Sequence, residues 1–208
     1  MKKDEIKIEG LYQIKKKDLE RCAEVAAKAF LEDESSKFLL SSHLTYKSLY
    51  NYYLVIYNAA INKMYMFAES EDINGFIIIA PVKHSNLSVW ECIMAGALKL
   101  IFSQGPGIVF RSLEYEKNCN KTRELIASAD SWYIFQFGVL PDKQGMRLGS
   151  KIIKPVLNWF DKKKITCYLE TQKDVNVYIY NHLGFLLKMV GTLPDKKMSQ
   201  YAMFRNSQ

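Results

Sequence analysis

The sequence predicts an α/β fold, a mixed and mostly antiparallel central sheet flanked by helices. Three observations predict it. Within residues 132–185 an aromatic and β-branched run, a glycine-bearing turn, a helical stripe, a second apolar run and a short glycine-closed helix follow one another, the order of a parallel strand-helix-strand unit. Residues 64–69 and 73–80 are apolar runs separated only by Ser70-Glu71-Asp72, a link too short for anything but an antiparallel pair. Between Ser88 and Ile126 apolar residues recur at helical spacing without a strand pattern, so a helical segment at 88–126 stands before the strand at 132–139.

Taken in order, residues 11–14 read as a first strand, and Asp18 is placed to cap a helix whose apolar face is Leu19, Cys22, Ala23, Ala26, Ala27 and Phe30. That helix has an acidic tail, Glu32-Asp33-Glu34. A second, tyrosine-rich helix covers 44–61, and the two strands follow, the second ended by Pro81. In the helical segment Gly105-Pro106-Gly107 breaks the run, and residues 117–121 read as a polar connector. After the strand at 132–139, Pro141 and the polar turn Asp142-Lys143-Gln144-Gly145 lead to a stripe of Leu148, Ile152, Ile153, Val156, Leu157 and Phe160, with Pro155 inside it. A strand at 165–171 and a short helix from Asn176 to Gly184 come next. The tail at 198–204 closes the sheet against 185–190, with a turn at 191–197 between them.

The start of the helix after Pro141 carries the chemistry. Its first turn leaves backbone N–H groups without intrahelical partners, and the helix dipole and glycines that allow close approach favour an anion such as a pyrophosphate. Lys143, Arg147, Lys151 and Lys154 add positive charge. On these residues alone, an ordinary strand-to-helix connection explains the turn as well.

The whole stretch resembles the acetyl-CoA-binding half of the GNAT (GCN5-related N-acetyltransferase) superfamily. Its loop pattern Gln/Arg-x-x-Gly-x-Gly/Ala is met by Gln144 and Gly149, and its Asn-x-x-x-x-Tyr-x-x-x-Gly-Phe signature by Asn176, Tyr180, Gly184 and Phe185. The run 167–171 and Pro155 are similar to the puromycin-acetyltransferase-like branch, where extra helices stand in the position of 88–126. Arg147 departs from the pattern, standing where the family has glycine. Either its backbone adopts a conformation that a non-glycine residue tolerates, with the guanidinium aiding phosphate binding, or the loop is weakened; the first is preferred here because Gly145, Gly149 and the cations remain.

The resemblance implies acetyl-CoA as co-substrate. Backbone at Phe137, Gly138 and Val139 would pair with the pantetheine arm, the Val139 N–H facing the thioester oxygen, and Gln144, Gly145, Met146, Arg147, Leu148, Gly149 and Ser150 would hold the pyrophosphate. Asn176 would bind the pantetheine, and Tyr180 would donate a proton to the leaving sulfur unless it is merely a phenol packed beside Phe185. The first two helices would wall the acceptor site, making Glu32, Asp33 and Glu34 candidates for amine recognition, although such a run also suits a solvated helix end. Glu170, on the second strand of the site, is either the general base or a solvent-facing sheet carboxylate, with His84 and His182 as alternatives. No nucleophile elbow or Ser-His-Asp arrangement is evident, which favours direct attack of an amine on the thioester.

Composition sets the outer limits. At 208 residues, with 49% apolar and 25% charged, the chain suits one soluble domain spanning 1–208. The beginning, MKKDEIKIEG, lacks the apolar core of a signal peptide and no apolar run is long enough to span a bilayer, so a cytoplasmic protein without a membrane partner is expected. Cys22, Cys92, Cys119 and Cys167 are scattered, so neither a disulfide framework nor a metal site is expected. The net charge of +7 lies in short lysine groups at 15–17, 162–164 and 196–197, without a nucleic-acid motif, so no nucleic-acid partner is expected. The reading is an acetyl-CoA-dependent N-acetyltransferase for a small-molecule or peptide amine, monomer or homodimer. Its rival is a protein that binds acyl-CoA without catalysis.

Overall fold

In the computed structural model, which describes residues 5–193 and 198–208, seven strands form one sheet in the order β1-β2-β3-β4-β5-β7-β6. They are β1 (Tyr12–Gln13), β2 (Tyr65–Ala68), β3 (Gly75–Pro81), β4 (Trp132–Val139), β5 (Cys167–Thr171), β6 (Leu186–Thr192) and β7 (Ser199–Arg205). Every neighbouring pair is antiparallel except β4 and β5, which are parallel because α7 (Leu148–Lys162) crosses over between them. The sheet is therefore mixed and mostly antiparallel, as expected. The lysines at 196–197, most of the turn expected at 191–197 and the first four residues lie outside the described residues.

Strand alternation decides which layer covers which face. On β3, Phe76, Ile78 and Ala80 point to a core shared with α1 (Leu19–Ala29) and α3 (Tyr46–Ala60), while Ile77 and Ile79 point to one shared with α7. Burial on both faces explains why this strand reads as an unbroken apolar run. On α7 the stripe Ile152, Ile153, Val156, Leu157 and Phe160 is buried, against Trp132 and Ile134 of β4 among others. At the far end Arg205 of β7 makes a two-pronged ion pair with Asp161, both bonds 2.7 Å, fastening the helix end to the sheet.

Four local expectations are corrected. Asp18 does not cap α1: its carboxylate accepts from the Lys15 backbone N–H and the Tyr12 hydroxyl, each at 2.8 Å, so it braces β1 instead. The acidic run is not the tail of α1, which ends at Ala29. Asp33 caps a separate helix, α2 (Glu34–Leu40), accepting from the Ser35 N–H at 3.1 Å. The segment 88–126 holds three helices, α4 (Val89–Met94), α5 (Ala97–Gln104) and α6 (Gly107–Ile126), because Gly96 turns the chain at φ 105 between the first two. Residues 117–121 are not a connector, since they lie inside α6, where a polar run is tolerated on a helix that packs on one side. The short α8 (Asp174–His182) follows β5, starting just before Asn176.

Gly138 fixes how closely β4 approaches α1. A Cβ there would come within 3.0 Å of the Phe30 ring and 3.1 Å of the Phe76 ring. Gly138→Ala is expected to lower stability by about 1–3 kcal/mol through overpacking, measured as a shift of the urea midpoint at unchanged m-value.

Candidate active site

The site begins where two parallel strands separate. β4 and β5 pair only at Trp132 with Cys167 and Tyr133 with Tyr168. Beyond that point β4 stays with β3 and β5 stays with β7, so the sheet opens between them. A bulge helps: the register of β4 on β3 skips Phe135, between the pairs Ile78–Gln136 and Ile79–Ile134, and a bulged strand bends and twists. Among the described residues the β4 edge facing β5 has no neighbouring strand from Ile134 onward, a backbone edge able to take an extended ligand.

A cavity of about 340 Å³ occupies the opening. Residues 134–137 of β4 and 169–172 line it from the sheet, Asn176 and Tyr180 from α8, and the remaining wall comes from α1–α6 and their connections. Asn176 is oriented by Thr171, whose hydroxyl accepts from its side-chain amide at 2.9 Å. Tyr180 packs edge-on to Phe185 with ring centroids 5.6 Å apart, and burial raises its pKa, so the phenol keeps its proton at neutral pH.

The inner end of the cavity is polar. Tyr133 donates to Oε1 of Glu170 at 3.0 Å, whereas Oε2 is buried and has no hydrogen-bond partner among the described residues. Burial pushes the Glu170 carboxyl up to about 7, against the opposing pull of Arg123 and the neighbouring hydroxyls. It is thus no solvent-facing sheet carboxylate. Glu116 of α6 also lines the cavity, its Oε1 3.7 Å from the Arg123 guanidinium, and burial raises its pKa as well. Arg123 lies 4.4 Å over the Tyr133 ring and donates to Asn86 at 2.7 Å and to Asn120. Cys119 accepts from Gln200 at 3.2 Å, and burial raises its pKa well above the ordinary value, which keeps it a thiol rather than a nucleophile.

At the outer end lies the turn before α7. Gly145 and Arg147 both have positive φ, 75 and 62, so the arginine adopts the conformation a glycine would. Among the described residues no side chain caps α7 and no acidic residue occupies its first turn, so its leading N–H groups and positive dipole end face outward. Gln144 ties the turn to β4, donating to the Val139 carbonyl at 3.1 Å. Gly149 lets the helix sit on β4, since a Cβ there would be 3.3 Å from Phe137. Arg147, Lys151 and Lys154 share a shallow groove with Leu148 and Ser150 on the outer side of α7.

The residues singled out by sequence fall into three groups. Phe137, Glu170, Asn176, Tyr180 and Asp33 line one cavity. Gly138 and Val139 continue the same strand beyond it, and residues 144–150 form the turn beyond its outer end. Glu32 and Glu34 are exposed and not among the lining residues; Glu34 instead pairs with Lys37 at 2.7 Å, because only the capping residue of α2 turns inward. Asp33 is held by Ser35 and by Lys173 at 3.3 Å, an ion pair joining α2 to the β5–α8 turn. His84 and His182 do not line the cavity, and His182 bonds to the Tyr178 carbonyl at 2.8 Å.

Sequence reasoning missed Glu116, Arg123 and Tyr133. Positions 116, 119 and 123 recur at the spacing of one helical face, a signal that the sequence itself carries. A non-glycine residue at positive φ is strained by about 1–2 kcal/mol, and a β-branched one more so. Arg147→Val is therefore expected to cost about 1 kcal/mol of stability and Arg147→Gly to cost nothing, read from thermal or urea unfolding.

Residues 106–185 match the Acetyltransferase (GNAT) family model. An uncharacterized N-acetyltransferase of Schizosaccharomyces pombe is 38% identical over 56 residues, covering 27% of this chain and 23% of that protein, so under a quarter of the relative's length is matched. A structure from Corynebacterium glutamicum, named as a histone acetyltransferase and related acetyltransferase, overlays with a TM-score of 0.65 at 15% identity, covering 95% of this chain and 96% of its own. An N-acetyltransferase of Staphylococcus aureus overlays with a TM-score of 0.58 at 15% identity, covering 93% and 98%. At such identities the overlays speak for the fold, which is that of these acetyltransferases, and the match to the GNAT family model covers residues 106–185, the part of the chain that holds the split strand, the turn and the Gly-Phe end of the motif.

Proposed function

We propose that this chain, acting as a single domain, transfers an acetyl group from acetyl-CoA to an amine by direct attack on the thioester. The observation that carries the reading is the opening between β4 and β5, with an uncapped helix start beyond its outer end and a buried carboxylate at its inner one. Acetyl-CoA fits these features. Its pyrophosphate takes the unpaired amides at the start of α7 within residues 144–150, with Arg147, Lys151 and Lys154 as the nearby cations. Its pantetheine adds to the unpaired edge at Phe137, Gly138 and Val139, with Asn176 on the opposite side, so that the thioester enters the cavity.

The residues then divide the work. Glu170 accepts a proton from the incoming ammonium or from the attacking nitrogen, directly or through water, and the neutral amine forms a C–N bond with the acetyl carbon. The developing oxyanion faces the open β4 edge inside the cavity, at the Phe137 N–H rather than the Val139 N–H expected from the sequence, because Val139 lies beyond the cavity. As the C–S bond breaks, Tyr180 gives its proton to the thiolate and regains one from solvent; the products are the amide and coenzyme A. A carboxyl with a pKa of about 7 suits the base, since it is ionised in a useful fraction at neutral pH while still basic enough to take a proton. The N-acetyltransferase named among the relatives agrees with an amine acceptor.

Calorimetry with acetyl-CoA, coupled to a thiol-release assay over a panel of amines, tests the reading. Binding with release supports it, and binding without release on any amine overturns it in favour of acyl-CoA binding alone. Tyr180→Phe should lower turnover about ten- to a hundredfold while changing acetyl-CoA affinity much less; unaltered turnover removes Tyr180 from the mechanism.

The pH dependence follows from Glu170. The base works only when ionised, so kcat/KM should rise about tenfold per unit below pH ~7 and level off above it, and Glu170→Gln should erase that limb and lower kcat/KM by about a hundredfold. Stability runs the other way. The native carboxyl holds its proton up to about 7 while the unfolded one releases it near the ordinary value of about 4.3, so stability falls as pH rises through that window and is level above it. Glu170→Gln should remove this fall, seen in urea titrations at pH 5 and pH 8.

A further inference from the structure

Resting on the acetyltransferase reading above, we infer that the acceptor is an amphiphilic primary monoamine, one ammonium on an uncharged aromatic or branched-alkyl body, with Glu116 and Glu170 receiving the ammonium and α4–α6 receiving the body. Among the described residues lining the cavity, only Asp33, Glu116 and Glu170 are charged. Asp33 is already committed to capping α2 and to Lys173. Glu116 has Arg123 as an ion-pair partner at 3.7 Å, too long for a hydrogen bond and so leaving it able to take a further N–H, and among the described residues the Oε2 of Glu170 is a buried acceptor without a hydrogen-bond partner, which an N–H donor would satisfy.

Away from that pole the wall is mostly apolar and carries no charge besides Asp33 among the described residues. Ile93 of α4, Leu100 and Ile101 of α5 and Val109 of α6 face Tyr52 and Ile56 of α3 around the same space. A polyamine would bring further ammonium groups against this wall, each stripped of water with no carboxylate to meet it. A polyhydroxylated amine or an extended peptide would bring more hydroxyls or amides than the few polar side chains on the α3 and α6 wall, Tyr52, Tyr53 and Ser112 among them, can hydrogen-bond. An apolar body gains there what those acceptors lose.

The test measures thiol release from acetyl-CoA with n-propylamine through n-hexylamine, 2-phenylethylamine, spermine, kanamycin and a tetrapeptide with a free α-amine. KM should fall about fourfold per added methylene, the factor equivalent to ~0.8 kcal/mol, until the space is filled, with 2-phenylethylamine at least about tenfold ahead of spermine, kanamycin and the peptide in kcat/KM. Ile101→Gln should raise KM for hexylamine and 2-phenylethylamine about tenfold and leave propylamine nearly unchanged, a split that general damage to the fold would not give. Glu116→Gln should raise KM for every amine without moving the acidic limb of the pH profile. Preference for spermine, kanamycin or the peptide, or a KM indifferent to chain length, overturns the inference and leaves the transfer reading standing. If no amine releases thiol, the transfer reading falls, and calorimetry then decides alone: 2-phenylethylamine binding that Ile101→Gln weakens sustains the apolar acceptor pocket, and absence of binding overturns it.

Discussion

Everything at the site depends on two neighbouring strands that stop pairing. Backbone N–H and C=O groups need partners, and a sheet that parts after two residue pairs leaves a row of them facing a cavity rather than a strand. The parting is imposed from outside the site. β5 is paired along its whole length with β7, from Cys167–Arg205 to Thr171–Tyr201, and β4 is held along its whole length by β3. Neither can swing across without giving up a full ladder. The bulge at Phe135 then bends β4 away while Gly138 lets its far end press against Phe30 and Phe76. The opening is thus the rigid remainder of two better-satisfied edges, which makes it a preformed place for an extended ligand rather than a loop that must order on binding.

The same parting sets the electrostatics. Because β5 turns away, the side chain of Glu170 meets Tyr133 of β4 across the vertex, and there is no water-filled surface to keep its charge cheap. Arg123 compensates in part, but it reaches in from α6 and divides its donors among Asn86, Asn120 and Glu116, so it does not form a close pair with Glu170. A direct ion pair at hydrogen-bonding distance would have drawn the carboxyl down into the usual range and made it a poor base. Distance from the cation therefore matters as much as burial.

Much of this arrangement was legible. The hairpin at Ser70-Glu71-Asp72, the stripe on α7 and the motif from Asn176 to Phe185 each carry a local signal, a turn, a period or a spacing, and local signals survive in a single sequence. Helix α2 did not, because Asp33 looks alike whether it ends one helix or caps the next; only its Ser35 N–H bond decides. Arg147 lay between these cases. Its identity raised the question of backbone conformation, and the answer, φ 62, depends on the geometry that Gly145 and the start of α7 impose together. The polar inner end was least legible, since Glu116 and Arg123 sit about fifty residues before Glu170 and meet it only through tertiary packing.

How α6 is attached explains why that inner end can be both buried and reproducible. An apolar helix sliding on an apolar sheet has many nearly equivalent registers, whereas this one is pinned by directional bonds. Asn118 donates to Gln200 at 2.8 Å and to the Thr192 carbonyl at 3.3 Å, Gln200 donates in turn to Cys119, and Arg123 reaches Asn86 beyond β3. Each bond fails if the helix shifts by one residue, so Glu116 can face the cavity that Glu170 also lines in only one register. Among the described residues, helices α4 and α5 are tied to α3 and the turn that follows it by one anchor each, Lys63 to Glu91 at 2.8 Å and Gln104 to the Ser48 carbonyl at 3.3 Å, while Trp90, Met94 and Phe102 are exposed and neighbours on the same helices line the cavity. The segment between β3 and β4 thus separates two duties, a helix fixed to the sheet by several hydrogen bonds that holds the chemistry in place and two apolar helices, fixed to the α3 side by one bond each, whose cavity-lining side chains can change without disturbing it.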